Sequence, residues 1–376
     1  MGRIKDHRKN LKEEHKVRWV ISSAIIYLIL AILVAAVVYA IYLFSSYHRI
    51  DDNQELFVAN SQDTAESVEV GAVKELTSWN IGFAAYLQDY TFFMDGGVES
   101  RARSEEAVLD SMDHINEFLR SQDSDFYNIQ EVDFDSTRSY KVDERQIIRD
   151  EFGDYAYLFA QNYDSPYLFY PFNCPHGRNK AGIITLSNVD VTGSIRRRLP
   201  IQTDFAKFLD LDRCYSVTRM PTDNGKEFVL INLHLSAYTT DPTIVQKQVG
   251  MIYETMLEEY EKGNYVVCSG DFNMDLLMNS PEIFGVPLDA FSSWCNPYPK
   301  EDIPEHIKLI APYDPKTKVA SCRNNNMPYT PGKTFTCTVD GFLATDNVRV
   351  FSAKVMDEKF MYSDHNPVQL KFMLRK

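Results

Sequence analysis

The chain has 376 residues, 44% of them hydrophobic and 13% aromatic, enough for one large globular core and unlike a disordered, fibrous or disulfide-stapled chain. Its formal net charge is -14, yet residues 1–18 carry seven Lys/Arg against three Asp/Glu, a local +4 that leaves -18 on everything beyond them. An acidic body of that size repels polyanions at long range, which argues against a protein that grips nucleic acid through a basic face.

The basic residues Arg3, Lys5, Arg8, Lys9, Lys12, Lys16 and Arg18 precede residues 24–44, a run of apolar and tyrosine side chains long enough to cross a bilayer as a helix,. A cleavable signal peptide would have an unusually long apolar core here, so the run reads as a signal anchor over 19–45. Because the basic cluster lies before it and Asp51, Asp52 and Glu55 after it, segment 1–18 is expected in the cytoplasm and the bulk of the chain outside. Residues 46–71 are polar and acidic with little periodicity, which reads as a coil tether of roughly 30 Å. The remaining segment, 72–376, is expected to be the catalytic domain.

Within it, Ser104 as N-cap, Glu105 and Glu106 in the first turn and a stripe of Val108, Met112, Ile115 and Leu119 predict a helix. A second is predicted after Pro242, with Val245, Val249, Ile252 and Met256 on one face and Gly263 at its end,. Both stripes read as core. The aromatic stretch 155–172 reads as a loop packed over the edge of the domain, with a substrate lip or a lipid contact as the alternative. Of the six cysteines none forms a CxxC pair or zinc spacing,. Cys268 reads as a small buried hydrophobe, and a Cys295–Cys322 pair is left open.

Several strand-like runs end in a residue of a type that binds metal or phosphate: Asn80 after Leu76-Thr-Ser-Trp, Glu131 after Phe126-Tyr-Asn-Ile-Gln, and His234 in Leu230-Ile-Asn-Leu-His. Gly270-Asp-Phe-Asn273, Thr338-Val-Asp340 and Ser363-Asp-His365 follow. Any one of these is an ordinary strand end; the set carries the weight.

Asn80, Glu131, His234, the GDFN of 270–273, Asp340 and the SDH of 363–365 together resemble the ordered motif series of the endonuclease/exonuclease/phosphatase superfamily. The resemblance spans residues 72 to 375. It implies a four-layer α/β sandwich of two mainly antiparallel sheets flanked by helices, with the site at one edge, and hydrolysis of a phosphoester with Mg2+ or Mn2+. Phosphoesters resist attack because their charge repels the nucleophile, so a cation must neutralise the developing charge while a base prepares water. By resemblance Asn80, Glu131 and Asp364 form the metal neighbourhood, hard oxygen ligands for a hard cation. His365 and Asp340 match the pair that activates or stabilises the attack. Asp271 positions the nucleophile or serves the leaving group, Asn273 donates to phosphoryl oxygens, and His234 stabilises or protonates the phosphate. The sequence does not divide acid from base among Asp271, His234 and His365.

Departures narrow the branch. The tryptophan that precedes the GD-N motif of inositol 5-phosphatases is Ser269 here, and only Asn179-Lys180 followed by Ala-Gly is similar to their phosphate-binding element. Lys180 reads as a solvated loop lysine, with a contact to phosphate as the alternative. His234 favours the branch with sphingomyelinases and small phosphodiesterases. The expected substrate is a small or membrane-borne phosphoester, the expected partner a lipid bilayer through the N-terminal helix, and long duplex DNA is disfavoured, with Arg196-Arg197-Arg198 the one dense basic run against that reading. The alternatives are an extracellular nuclease and a membrane-anchored binding protein that has lost turnover.

Overall fold

The computed structural model describes residues 2–203, 207, 212–237, 241–288 and 292–376; the side chains of residues 2–11, among them Arg3, Lys5, Arg8 and Lys9, and of Pro242 lie outside that description. Two compact units divide the chain, Met1–His48 and Arg49–Lys376. The first is a single helix, α1 (Gly2–Ser46), which runs unbroken through both the basic segment and the apolar one. It is long and apolar enough to cross a membrane.

In the second unit the strands are, in order, β1 (Gln54–Glu55), β2 (Val58–Ala59), β3 (Val73–Asn80), β4 (Phe126–Phe134), β5 (Ala156–Asp164), β6 (Lys180–Ser187), β7 (Gly193–Arg198) and β8 (Cys214–Pro221). They continue with β9 (Glu227–His234), β10 (Tyr265–Asp271), β11 (Ile307–Ile310), β12 (Cys322–Arg323), β13 (Thr336–Cys337), β14 (Asp340–Thr345), β15 (Val348–Val355) and β16 (Val368–Leu374). The helices are α2 (Glu105–Gln122), α3 (Glu144–Glu151), α4 (Pro242–Glu261) and the short α5 (Ser280–Phe284).

One seven-stranded sheet has the order β1-β7-β8-β9-β10-β14-β11, the other β15-β16-β3-β4-β6-β5-β2. Each contains one parallel pair, β9 with β10 and β3 with β4, and every other pairing in them is antiparallel. Parallel neighbours need a crossover, and α4 and α2 supply it. α2 starts where its cap predicts: Ser104 Oγ accepts from the Ala107 N–H at 3.1 Å. Its stripe, Val108, Met112, Ile115 and Leu119, is fully buried with Trp79, Tyr127 and Ile129 on the outer face of the second sheet. Val249, Ile252 and Met256 of α4 pack likewise on Val229, Ile231 and Val266 of the first. Between the sheets Leu76, Phe126, Leu158, Phe228, Leu230, Val267 and Phe342 form the central core. Two helix layers over two sheets make the expected four-layer sandwich.

The expected tether does not hold. From Arg49 on the chain belongs to the folded unit: β1 pairs with β7, β2 with β5, Ala65 bridges Val189, and Val68 and Val70 are buried. Strands of two residues are too short to leave a periodic pattern, and the apolar Leu56, Val58, Val68 and Val70 are spaced among acids, so the segment reads as coil although it closes the edge of each sheet. The folded unit begins near residue 49 rather than 72.

One further expectation changes. Arg196 is not a surface cation: it is fully buried, donating to the carbonyls of Gln161 at 2.7 Å, Asp51 at 2.9 Å and Asp212 at 3.0 Å, with the Asp212 carboxylate 3.6 Å away. The pairing of Cys295 with Cys322, which the sequence left open, is not formed: all six cysteines are free thiols, and Cys322 lies opposite Cys337 across β12 and β13. Cys268 is buried as expected.

Because Arg196 joins the segment after the helix to β5 and to Asp212, Arg196→Ala leaves the carbonyls of Gln161, Asp51 and Asp212 without this donor and takes one of two arginines from the Asp212 carboxylate, which Arg49 and the Ile50 N–H still hold. A loss of about 3 kcal/mol of unfolding free energy is expected, read by chemical denaturation of the full chain; a change below about 0.5 kcal/mol, the range of an ordinary surface substitution, contradicts the structural role.

Candidate active site

The register of the first sheet sets three of the site residues in a row. Asp271, the last residue of β10, is paired with His234 on one side and Asp340 on the other. Gly270 makes this possible: at φ 145° a Cβ there would lie 2.0 Å from the Leu233 carbonyl oxygen, so only glycine fits between the strands,. From the second sheet Asn80 ends β3, and Glu131 protrudes from a bulge in β4, where pairing with β6 slips between Ile129 and Val132. Glu131 has φ 56° and Asn273 φ 51°, left-handed conformations that cost of order 1 kcal/mol or more and cluster at functional sites.

Asn80 joins the two sheets. Its Nδ2 donates to Asp271 Oδ2 at 3.0 Å and Glu131 Oε1 at 3.2 Å and lies 3.5 Å from His365 Nε2, while its Oδ1 accepts from the Gly82 N–H at 3.0 Å. His365 follows a turn in which Ser363 Oγ donates to the Asn80 carbonyl at 2.7 Å, and the His365 carbonyl accepts from Trp79 Nε1 at 2.9 Å. His365 Nδ1 is 2.8 Å from Asp340 Oδ2, and its Nε2 is 3.7 Å from Asp271 Oδ2. His234 Nε2 lies 3.5 Å from Asp271 Oδ2 and 3.8 Å from Glu131 Oε1. Asp364 Oδ2 accepts from Asn325 Nδ2 at 2.6 Å. Asn273 donates its backbone N–H to Asp271 Oδ1 at 2.8 Å and one side-chain N–H to the Leu235 carbonyl at 2.9 Å.

Burial and charge set the protonation states apart. Burial alone would lower His365, but Asp340 and then Cys322 and Asp271 hold it well above the usual imidazole value. His234, buried and facing Arg213, His365 and Arg138, is pushed well below it and stays neutral. Burial raises the Asp271 carboxyl to about 7; His365 opposes the rise and Asp340 adds to it. Burial and the neighbouring Asp364 also raise Glu131, against the pull of Arg138. A carboxylate raised by burial and by a neighbouring carboxylate is an arrangement that a divalent cation relieves.

Six of the eight residues expected at the site, all but Asn80 and Asp340, line one cavity of about 250 Å³; Asp340 reaches it through His365, and Asn80 stands behind Glu131 and Asp271.

 
The wall itself is formed by Glu131, His234, Asp271, Asn273, Asp364 and His365, with Asn80 and Asp340 holding these six from behind. Asp271, Asp340 and His365 also present ligand atoms within 4.8 Å of one another, but the Nδ1 of His365 and Asp340 are already hydrogen-bonded to each other, which fits a proton-handling pair better than a metal cage. Lys180 lies off the cavity and, rather than in a loop, at the start of β6, 3.7 Å from Asp135.

Sequence reasoning missed Arg138, Asn162, Arg213, Arg323 and Asn325 on the same wall. Arg138 follows the Glu131 run and is paired with Asp133 at 2.8 Å, its guanidinium 3.6 Å above the Phe83 ring. The run Asn324-Asn325-Asn326 was a legible polar signal; the arginines and Asn162 carried none. The aromatic stretch divides: Tyr155, Tyr157 and Tyr163 are buried as a packed edge requires, whereas Phe169, Tyr170 and Phe172 are 50%, 62% and 85% exposed, which corrects the reading of the whole stretch as packed.

A family model described as Endonuclease/Exonuclease/phosphatase family matches residues 77–365. No curated protein matches the sequence. Among solved structures, an endonuclease/exonuclease/phosphatase from Beutenbergia cavernae is 15% identical with a TM-score of 0.51, over 81% of this chain and 72% of that one. TDP2 of D. rerio, complexed with a single-strand DNA product, is 15% identical with a TM-score of 0.49, over 80% and 99%. A mannosyl-6-phosphatase of Bacteroides thetaiotaomicron is 13% identical with a TM-score of 0.49, over 80% and 100%. At these identities the likeness is one of fold.

Asp340→Asn keeps the shape of the pair but removes the charge that holds His365 protonated. The His365 ring is expected to titrate at lower pH in the metal-free protein, read by NMR, and turnover of a phosphoester to fall by about 10²-fold or more. An unchanged titration shows that Asp340 does not govern His365.

Proposed function

Because this chain belongs to the endonuclease/exonuclease/phosphatase family, we propose that it is a metal-dependent phosphoester hydrolase anchored in a membrane by α1, with its catalytic unit on the side away from the cytoplasm. The observation that carries the hydrolase reading is the convergence, at one cavity, of the Asp340–His365 pair with Asp271, Asp364 and Glu131, the last raised by burial and by Asp364. A binding protein that had lost turnover would have no use for such a set, and none of its members is missing.

Glu131 and Asp364 are the residues that would hold Mg2+ or Mn2+, since hard oxygen donors suit those ions, while Asn80, whose Oδ1 is taken by the Gly82 N–H, fits the expected ligand role less well and holds Glu131 and Asp271 in place through its Nδ2. When bound, the cation supplies charge neutralisation at the phosphoryl oxygens. The chain's own residues do the rest. His365, kept protonated by Asp340, donates from Nε2 to a phosphoryl oxygen and stabilises the charge that develops there. Asp271, raised to about 7 by burial, is poised to take a proton from the attacking water near neutrality. Neutral His234 faces the phosphate from the next strand as a hydrogen-bond donor, and Asn273, held by its backbone bond to Asp271, offers its remaining amide proton.

A small or membrane-borne phosphoester is the favoured substrate. Three features support it: the -18 charge outside the basic segment, the apolar helix, and the exposed Phe169, Tyr170 and Phe172 together with the half-exposed Met94, which lines the cavity mouth. The buried, structural Arg196 weakens the case for a nuclease groove, because the triplet it belongs to no longer presents a run of free cations to phosphates.

Glu131→Gln should lower turnover by about 10²-fold or more while leaving the fold intact. EDTA should abolish activity and Mg2+ restore it; undiminished hydrolysis in EDTA refutes the metal. For topology, an epitope placed after Lys376 should be labelled by antibody on intact cells, since the basic residues precede the span. Labelling only after the membrane is opened reverses the orientation.

A further inference from the structure

Asn162 is placed by a second β-bulge. Where β5 pairs with β6, Gln161 is opposite Gly182 and Tyr163 opposite Ala181, so Asn162 is the extra residue between them. Bulges next to active sites re-aim a side chain, and this one turns Asn162 into the same cavity as Glu131, His234 and Asp271. The close approach depends on Gly182, where a Cβ would meet the Ala160 carbonyl oxygen at 2.4 Å.

The Asn162 side chain is 1% exposed, yet neither its Nδ2 nor its Oδ1 has a hydrogen-bond partner. A buried carboxamide with both ends open is costly and rare, and it calls for an occupant. Asn325 Oδ1 and His234 Nδ1, also buried, are open on the same wall. All of these groups are neutral and offer donors and acceptors at separate points of the cavity. A second phosphate would want cations free to pair with it, whereas on this wall Arg138 is held by Asp133 and Arg323 donates to the Asn324 and Leu87 carbonyls; an acyl chain would leave every one of the open groups unsatisfied. A flat base would satisfy them only along one edge. Hydroxyl groups distributed around a ring or chain, each both donor and acceptor, satisfy several at once.

We propose that Asn162 is a specificity-determining residue that binds hydroxyl groups on the alcohol side of the scissile ester, and that the substrate is the phosphoester of a polyol. This rests on the hydrolase reading above. The polyol ester is either a free polyol phosphate or a lipid headgroup, and both present the same hydroxyls to the cavity.

The test uses the full chain in detergent with Mg2+ and compares free inositol and hexose phosphates, mixed micelles of phosphatidylinositol or phosphatidylglycerol, mixed micelles of phosphatidylcholine, and bis-p-nitrophenyl phosphate. In Asn162→Leu, and in the near-isosteric Asn162→Asp, the kcat/KM for the polyol ester relative to the nitrophenyl ester should fall about tenfold or more, mainly through KM, as loss of at least one hydrogen bond requires. Turnover of the free phosphates assigns a soluble substrate, and turnover of the micellar lipids alone assigns a headgroup; either supports the inference. An unchanged ratio in both variants, or a wild-type preference for phosphatidylcholine over the polyol lipids, overturns it. Should the wild type hydrolyse none of these esters, the hydrolase reading fails on its own, and thermal-shift binding of inositol phosphate still decides the role of Asn162: the shift must be present in the wild type and reduced in the variants, and a shift equal in both, or absent from the wild type, overturns it.

Discussion

The site depends on a layer of buried polar side chains that locks the two sheets at one register. Toward the strand ends that carry the candidate site residues, the inward positions between the sheets change from Phe and Leu to amides and hydroxyls. Asn128 Nδ2 donates to Ser269 Oγ at 2.8 Å and to the Ile231 carbonyl at 3.1 Å, Gln130 Nε2 to Asn232 Oδ1 at 2.8 Å, and Asn232 Nδ2 to the Ile184 carbonyl at 2.8 Å. An apolar interface tolerates sliding, because one methyl contact is much like another. Directional bonds between buried groups do not, since a shift of one residue would leave each of them unsatisfied. Asn80 and Glu131 therefore meet Asp271 and His234 at hydrogen-bonding distance although they belong to different sheets.

Around that layer the backbone itself is bent to purpose. Bulges in β4 and β5, on either side of β6, aim Glu131 and Asn162 into the cavity, and the left-handed Asn273 turns the chain sharply after Asp271. These conformations are unfavourable in isolation. They persist because the apolar cores on both faces of each sheet over-determine the strands on which they sit.

The electrostatics have the same character. Asp271, Asp340, Glu131 and Asp364 converge where water is largely excluded, answered by His365, Arg138 and Arg213 on the wall. The protein keeps His234 neutral and His365 charged, although both are imidazoles buried in one cavity. The difference lies in their neighbours: Asp340 shares a hydrogen bond with His365, while His234 faces cations. Two like groups driven apart by environment are what proton transfer at neutral pH needs.

The order of motifs from Asn80 to His365, the helix stripes and caps of α2 and α4, and the apolar N-terminal helix were legible in the sequence because each is a local pattern: a period, a capping residue, a run of apolar side chains. The strand-ending residues could be named singly, and the family resemblance grouped them, but spacing along the chain holds no information on which strands are neighbours. Only the tertiary structure decided that Asp271 would stand between His234 and Asp340, that the segment after residue 49 would close the sheet edges, and that Arg196 would be a buried tie rather than a surface charge. Bulges, two-residue edge strands and the environment of a long polar side chain are set by contacts between residues far apart in sequence. Asn162 is the sharpest case: an unremarked amide in an aromatic strand becomes part of the cavity because one extra residue in β5 turns it inward.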